Sequence, residues 1–155
     1  MAYVTSAEVP APRPGTCIFC DAFESRDDRR TLLLRRGSEA FLLLNKYPYA
    51  SGHVMAAVRR HVASLEETTP EEMGQAMDLV KAAVRALGRA YAPDGFNIGV
   101  NQGRAAGAGV PGHLHIHVVP RWSGDVNFMP IVGDTRVLPE TLDTTYDRLV
   151  AALGS

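Results

Sequence analysis

Three histidines, His113, His115 and His117, alternate with aliphatic residues in the eight-residue stretch that ends at Pro120. In a β-strand, alternate side chains point to opposite faces, so the three imidazoles would share one face and the aliphatic residues the other. In a helix the same imidazoles would be spread around the axis in steps of about 200°. The pattern therefore predicts a strand with one histidine face and one core face, and Pro120 is expected to end it.

Three functions are compatible with such a strand. Imidazoles can ligate zinc or iron, or they can form a polar ladder without chemistry. An imidazole with its ordinary pKa of about 6.5 is also largely neutral at pH 7 and can attack phosphorus to give a covalent phosphoramidate. The loop at residues 102–112 contains four glycines, which let backbone N–H groups approach phosphate oxygens closely. This loop favours the nucleophilic function.

A second group of residues that could do chemistry lies near the N-terminus. It consists of Cys17 and Cys20, which are the only cysteines of the chain. Their spacing is half of a tetrahedral thiolate metal site, whose other ligands would have to be histidines or carboxylates. Two alternatives remain: a reduced pair packed as small hydrophobic residues, and a redox pair. The redox alternative requires a preceding strand, which Pro14 and Gly15 do not favour.

The pattern of short apolar runs predicts the elements that position these residues. A long helix should begin at Pro70, with Thr69 as N-cap and Glu72 completing a capping box, and should stop at Pro93. A second helix is expected at residues 140–153, and a short sixth strand at residues 128–132. The five main strands are expected at residues 31–35, 39–45, 53–58, 96–100 and 113–120. Consecutive strands with one long inserted helix predict an α+β domain with an antiparallel sheet.

Length and composition set limits on the class of protein. The 155 residues suffice for one domain, which we expect at residues 17–155 after an extended N-terminal arm at residues 1–16. The net charge of −1 argues against a nucleic-acid partner. We expect no membrane association and a cytoplasmic location, because no apolar run approaches the length of a membrane span and no signal segment opens the chain.

The histidine strand resembles the signature of the histidine triad (HIT) family, in which histidine alternates with hydrophobic residues. Further similarity lies at Asn45-Lys46-Tyr47-Pro48-Tyr49 with Gly52-His53, at Phe96-Asn97-Ile98-Gly99-Val100-Asn101 and at His117-Val118-Val119-Pro120-Arg121-Trp122. These segments are similar to the fragile histidine triad and bacterial diadenosine polyphosphate hydrolase-phosphorylase branch. The resemblance covers roughly residues 17 to 142 and implies the HIT fold, a five-stranded antiparallel sheet with one long helix, paired as a homodimer.

The resemblance also implies nucleotidyl transfer through a histidine-bound nucleotide. By position, His115 would be the nucleophile, and His117 and His53 would organise the site and contact phosphate. Asn45 would bind the ribose, and Gln102 would contact phosphate or the bridging oxygen. The chain is then expected to be a hydrolase or nucleotidyltransferase that cleaves dinucleoside polyphosphates. The alternatives are a diadenosine tetraphosphate phosphorylase, a nucleoside phosphoramidate hydrolase and a non-catalytic nucleotide-binding module.

One position departs from the family pattern. Four residues before the first histidine, where many members carry a glutamine or serine that faces the phosphate, this chain has Gly109. Backbone N–H groups of Ala108 or Gly109 are expected to substitute for the missing side-chain donor, whereas Pro111 has no N–H to give.

In family members with a similar cysteine pair, zinc is completed by a histidine after the third strand and by the first histidine of the triad. The resemblance therefore implies a structural zinc held by Cys17, Cys20, His61 and His113. We expect no organic cofactor.

Overall fold

The computed structural model describes residues 16–125 and 140–154. Its strands are β1 (Leu33–Arg36), β2 (Ala40–Leu44), β3 (Val54–Val58), β4 (Gly95–Gly99) and β5 (His115–Arg121). Its α-helices are α1 (Ile18–Glu24), α2 (Asp28–Thr31), α3 (Pro70–Tyr91) and α4 (Leu142–Gly154). Short 3-10 helices lie at Leu65–Glu67 and Arg104–Ala106. The expected α+β class is confirmed, and the sixth strand predicted at 128–132 lies outside the described residues, as do residues 1–15 of the expected arm.

The five strands form one antiparallel sheet in the order β1-β2-β3-β5-β4. The five predicted strands are therefore confirmed, with shifts of one or two residues at their ends. Strands β1 and β5 both begin two residues later than predicted, and the prediction that Pro120 ends β5 is wrong, because the strand continues to Arg121. Among the described residues, only β4 pairs with β5 beyond Val118, so Pro120 occupies a position with one open side, where a missing N–H is tolerated.

The start of α3 follows from local sequence chemistry. The Thr69 hydroxyl accepts the N–H of Glu72 at 3.2 Å, and the Glu72 carboxylate accepts the N–H of Thr69 at 2.8 Å. This capping box satisfies two N–H groups that a helix terminus leaves without intrahelical partners. The Glu72 carboxylate, which is buried, also accepts a hydrogen bond from Arg60 Nε at 2.8 Å. The predicted helix start is confirmed.

The two faces of the sheet are covered differently. The larger core lies under α3 and α4 and contains Ile116 and Val118 of β5 and Leu114 directly before it. A smaller core on the histidine side contains Phe19 of α1 together with Phe41 and Met55 of the sheet. The predicted division of β5 into a core face and a histidine face is therefore confirmed.

Two short helices were not expected from the sequence. Helix α1 has seven residues and no side-chain hydrogen bond at its N-cap, Cys17, so neither periodicity nor capping marks it. Helix α2 occupies a segment that reads as a charged turn, and Asp27 caps it by accepting the N–H of Arg30 at 3.0 Å. Among the described residues, no helix combines the length and apolarity that a membrane span requires.

Candidate active site

His115 is held in one tautomer by the main chain. Its Nδ1–H donates to the carbonyl oxygen of His113 at 2.8 Å, so the lone pair of the neutral ring lies on Nε2. The ring is 5% exposed. Burial lowers the pKa of His115, and the hydrogen bond to the carbonyl opposes this shift. The imidazole is therefore neutral near pH 7 and presents a nucleophilic nitrogen.

Phe19 forms one wall of this site. Its ring centroid lies 4.7 Å from that of His115 and 5.2 Å from that of His113. This residue was not identified from the sequence, although it lies between the two cysteines, because neither periodicity nor a side-chain cap marks the short helix α1 that carries it.

His53 and His117 form a hydrogen-bonded pair. The backbone N–H of Tyr49 donates to His53 Nδ1 at 3.1 Å, which places the His53 proton on Nε2. That Nε2–H donates to His117 Nδ1 at 2.9 Å, so neutral His117 carries its own proton on Nε2. Burial, and next the nearby His115, lower the pKa of His117 to about 4. His117 is thus a neutral hydrogen-bond donor at pH 7.

Asn45, which the resemblance predicts to bind the ribose, lies beside this pair. Its side-chain oxygen accepts the N–H of Tyr47 at 2.9 Å and shapes the turn that follows β2. Its Nδ2 lies 3.3 Å from His53 Nε2, and its backbone N–H donates to the His53 carbonyl at 2.9 Å. The structure therefore brings Asn45, His53, His115 and His117 together.

Gln102 and Gly109 lie on the glycine-containing loop between β4 and β5. The Gln102 amide is engaged with the first 3-10 helix: its oxygen accepts the N–H of Leu65 at 2.9 Å, and its Nε2 donates to Glu66 at 3.3 Å. A phosphate contact by Gln102 stays a prediction and requires the amide to exchange these partners. Gly109 has open space where a Cβ would stand, and its expected contact with phosphate likewise stays a prediction.

The remaining predicted site residues form a separate cluster. Cys17, Cys20, His61 and His113 place four ligand atoms within 4.8 Å of one another. Nδ1 of His113 lies 3.3 Å from Cys17 Sγ and 3.6 Å from Cys20 Sγ, and Nδ1 of His61 lies 3.4 Å from Cys20 Sγ. Tetrahedral ligands of a zinc ion lie about 3.5 Å apart for a sulfur–nitrogen pair, given Zn–S of about 2.3 Å and Zn–N of about 2.0 Å. The cluster has the size of a tetrahedral metal site.

Protonation in the cluster also suits a metal ion. His113 donates its Nε2–H to the carbonyl of Val58 at 2.7 Å, which leaves the Nδ1 lone pair directed at the cysteines. Burial, and next the hydrogen bond with Cys17, raise the pKa of the Cys20 thiol to about 11. A bound cation would reverse this by stabilising the thiolates. The four residues can therefore hold a metal.

Comparison with known proteins places the chain in a family. The model of the HIT domain matches residues 30–124, and the chain belongs to the HIT family. AP-4-A phosphorylase of Mycobacterium tuberculosis is 42% identical over 124 residues, which are 80% of this chain and 63% of that protein. The chain thus spans less than two thirds of the length of that relative.

Two further proteins are similar over smaller shares or at lower identity. Bis(5'-nucleosyl)-tetraphosphatase (asymmetrical) of Schizosaccharomyces pombe is 33% identical over 88 residues, or 57% of this chain and 47% of that protein. The crystal structure of a Zn-bound histidine triad family protein from Mycobacterium smegmatis superposes with a TM-score of 0.70 at 25% identity, covering 90% of this chain and 94% of that one. The HIT fold expected from the sequence is confirmed.

Proposed function

We propose that this chain is an enzyme that cleaves dinucleoside polyphosphates by transferring a nucleotide to His115. The observation that carries the proposal is the hydrogen bond from His115 Nδ1–H to the His113 carbonyl, which leaves a neutral Nε2 lone pair in the site. The relatives named AP-4-A phosphorylase and bis(5'-nucleosyl)-tetraphosphatase support the substrate class.

The first step would exchange one bond to phosphorus for another. The His115 Nε2 lone pair attacks the α-phosphorus, an N–P bond forms, and the bond from this phosphorus to the bridging oxygen breaks. The leaving polyphosphate takes the electron pair of that bond. The His113 carbonyl, as acceptor of Nδ1–H, stabilises the cationic ring of the nucleotidyl-histidine.

We assign the other site residues to positioning and to contact with phosphate. The Nε2–H of His117 would donate to a phosphate oxygen, and His53 would hold His117 in that tautomer. Asn45 would bind the ribose, and Gln102 would contact phosphate or the bridging oxygen. Backbone N–H groups at Gly109 would supply the donor that its missing side chain cannot.

The second step releases the nucleotide from His115. An acceptor oxygen attacks phosphorus, the N–P bond breaks, and Nε2 recovers its electron pair while the acceptor loses its proton. Water as acceptor gives AMP from a diadenosine substrate, and this is our first candidate. Inorganic phosphate would give ADP, and the relative named AP-4-A phosphorylase favours this second candidate.

Product analysis on diadenosine tetraphosphate, with and without inorganic phosphate, tests the proposal. AMP and ATP in the absence of phosphate support hydrolysis, and ADP and ATP formed only with phosphate support phosphorolysis. Cleavage only of nucleoside phosphoramidates, or nucleotide binding without turnover, would overturn the proposal in favour of one of the other two alternatives.

We propose zinc as the metal of the cysteine–histidine cluster. The Zn-bound histidine triad structure from Mycobacterium smegmatis supports this choice, as do two thiolate and two imidazole ligands at tetrahedral spacing. Because protein atoms fill all four positions, the metal would be structural.

We also propose a homodimer in the cytoplasm. Among the described residues, β4 lies at one edge of the sheet, and Ile98 on it is 48% exposed, which suits pairing with a second copy. Zinc ligation by Cys17 and Cys20 requires reduced cysteines, as a reducing compartment maintains them.

A further inference from the structure

Two tyrosines of the loop between β2 and β3 stand at the edge of the histidine site. Tyr47 and Tyr49 flank Pro48 and are exposed to nearly the same degree, 53% and 54%. They differ in what they contact. Nζ of Lys46 lies 6.0 Å from the centroid of the Tyr47 ring, whereas the Tyr49 ring faces the histidines.

Tyr49 contacts both members of the His53–His117 pair. Its ring centroid lies 4.8 Å from that of His53, with planes inclined by 33°, and 6.4 Å from that of His117, with planes inclined by 29°. Its backbone N–H is the donor that fixes the His53 tautomer. His53 is fully buried, although the tyrosine that lies against it is half exposed. The tyrosine ring therefore lies between this imidazole and solvent.

We propose that Tyr49 is a positioning residue whose ring keeps water from the His53–His117 hydrogen bond, so that His117 presents a neutral Nε2–H to the substrate. The proposal rests on the proposed function for its consequence in catalysis. The shielding itself is a property of the free protein, because every group involved belongs to this chain.

The physical reason is the dependence of a hydrogen bond on its surroundings. Away from solvent, no water molecule competes with the imidazole–imidazole bond as donor or acceptor, and a charged imidazole is disfavoured. Within the part of the chain that the structure describes, the titratable groups that contact His117 are His53 from the segment before β3, His115 from its own strand and Tyr49 from the loop. The residues paired with His117 on β3 and β4 are a methionine and a glycine, which do not titrate.

The first test measures the ring nitrogens of His117 by NMR in the free protein, with His117→Gln to assign the signals. In Tyr49→Ala we expect the pKa of His117 to rise by about one unit or more from its value of about 4. Tyr49→Phe should keep the wild-type value, because it retains the ring. Tyr47→Ala, which removes an equally exposed tyrosine, should also keep it.

An unchanged His117 pKa in Tyr49→Ala would overturn the proposal. An equal rise in Tyr47→Ala would do the same, because it would indicate a general loosening of the loop. A rise of the His117 pKa in Tyr49→Phe as large as in Tyr49→Ala would show that the hydroxyl, and not the ring, causes the effect. That result would contradict shielding by the ring.

The second test separates turnover from binding on diadenosine tetraphosphate between pH 4 and pH 7. Tyr49→Ala should move the acid limb of the kcat profile to higher pH by about the same one unit as the pKa of His117. KM should change little, because the change acts on the protonation of His117. Loss confined to KM would assign Tyr49 to substrate binding and contradict the proposal. If the wild-type protein turns over no dinucleotide, the proposed function fails, and the NMR experiment still decides the role of Tyr49.

Discussion

The main-chain carbonyl of His113 accepts the Nδ1–H of His115 at 2.8 Å, while the imidazole of His113 faces Cys17 and Cys20. One residue thus supports both the proposed nucleophile and the proposed metal cluster. His113 contributes through different atoms, because its carbonyl oxygen accepts the hydrogen bond from His115 and its Nδ1 faces the cysteines of the cluster. The two sites are therefore adjacent without sharing a side chain.

Metal removal tests the role of the cluster. Protein purified without chelator should contain one zinc per chain, and Cys17→Ser should lose it. The melting temperature should fall by about 2–4 °C for each kcal/mol of lost stabilisation. Activity per folded molecule should fall less, because the His113 segment is also held by the bond from Leu114 N–H to the Val62 carbonyl at 2.7 Å.

Zinc added back to chelated wild-type protein provides the control for the serine variant and should restore the melting temperature. Metal-free protein with an unchanged melting temperature would show that the cysteines are ordinary packed residues.

The depressed pKa of His117 predicts a dependence of stability on pH. Between the folded value of about 4 and the ordinary value of 6.5, the unfolded chain binds a proton that the folded chain does not. Protonation of the unfolded chain therefore lowers the free energy of unfolding. The stability that depends on neutral His117 is fully present above pH 6.5 and declines as the pH falls toward 4. The free energy of unfolding in urea, measured from pH 7 to 4.5, should fall more steeply for wild type than for His117→Gln.

The comparison with His117→Gln removes the contributions of the other ionisable groups, which both proteins share. Parallel curves for the two proteins would contradict the assigned protonation of His117.

Gly109→Gln distinguishes two consequences of the missing side chain. The open space at Gly109 accommodates the change. If backbone N–H groups already donate hydrogen bonds to the phosphate, Gly109→Gln should keep or raise AMP release. If the space admits inorganic phosphate, the variant should selectively lose phosphate-dependent ADP release. We expect the first result, because the loop supplies donors without rearrangement.

Ala105→Gln, at an exposed position of the same loop, is the matched control and should leave both product ratios unchanged. A wild-type protein that makes only ADP, and only when phosphate is present, would overturn our preference for water.

The position of β4 at one edge of the sheet, as far as the described residues show it, predicts how the proposed dimer forms. Ile98→Lys should convert the protein to a monomer in analytical ultracentrifugation, because a charge on β4 opposes strand pairing. Val150→Lys, which places the same charge on an exposed valine of α4, is the control and should remain dimeric. A monomeric wild type, or a dimeric Ile98→Lys, would contradict pairing through β4.

Local patterns predicted much of this molecule. The period-two histidines fixed the faces of β5, and Thr69 with Glu72 marked the start of α3, because both signals depend on neighbours within a few residues. The contacts of Phe19 with His115 and of Gln102 with Leu65 join residues distant in the chain. No local pattern encodes them. The tautomers of the histidines were also beyond the sequence, because they depend on where individual carbonyl and N–H groups lie.

The proposed role of His115 is to carry the nucleotide during turnover. The direct measurement is intact mass of protein quenched in base during turnover of diadenosine tetraphosphate, followed by fragmentation to locate the adduct. We expect one adenylate on His115, no adduct in His115→Gln, and a loss of about 10⁴-fold or more in the rate of that variant. Turnover without an adduct, or a His115→Gln rate within about tenfold of wild type, would contradict the account.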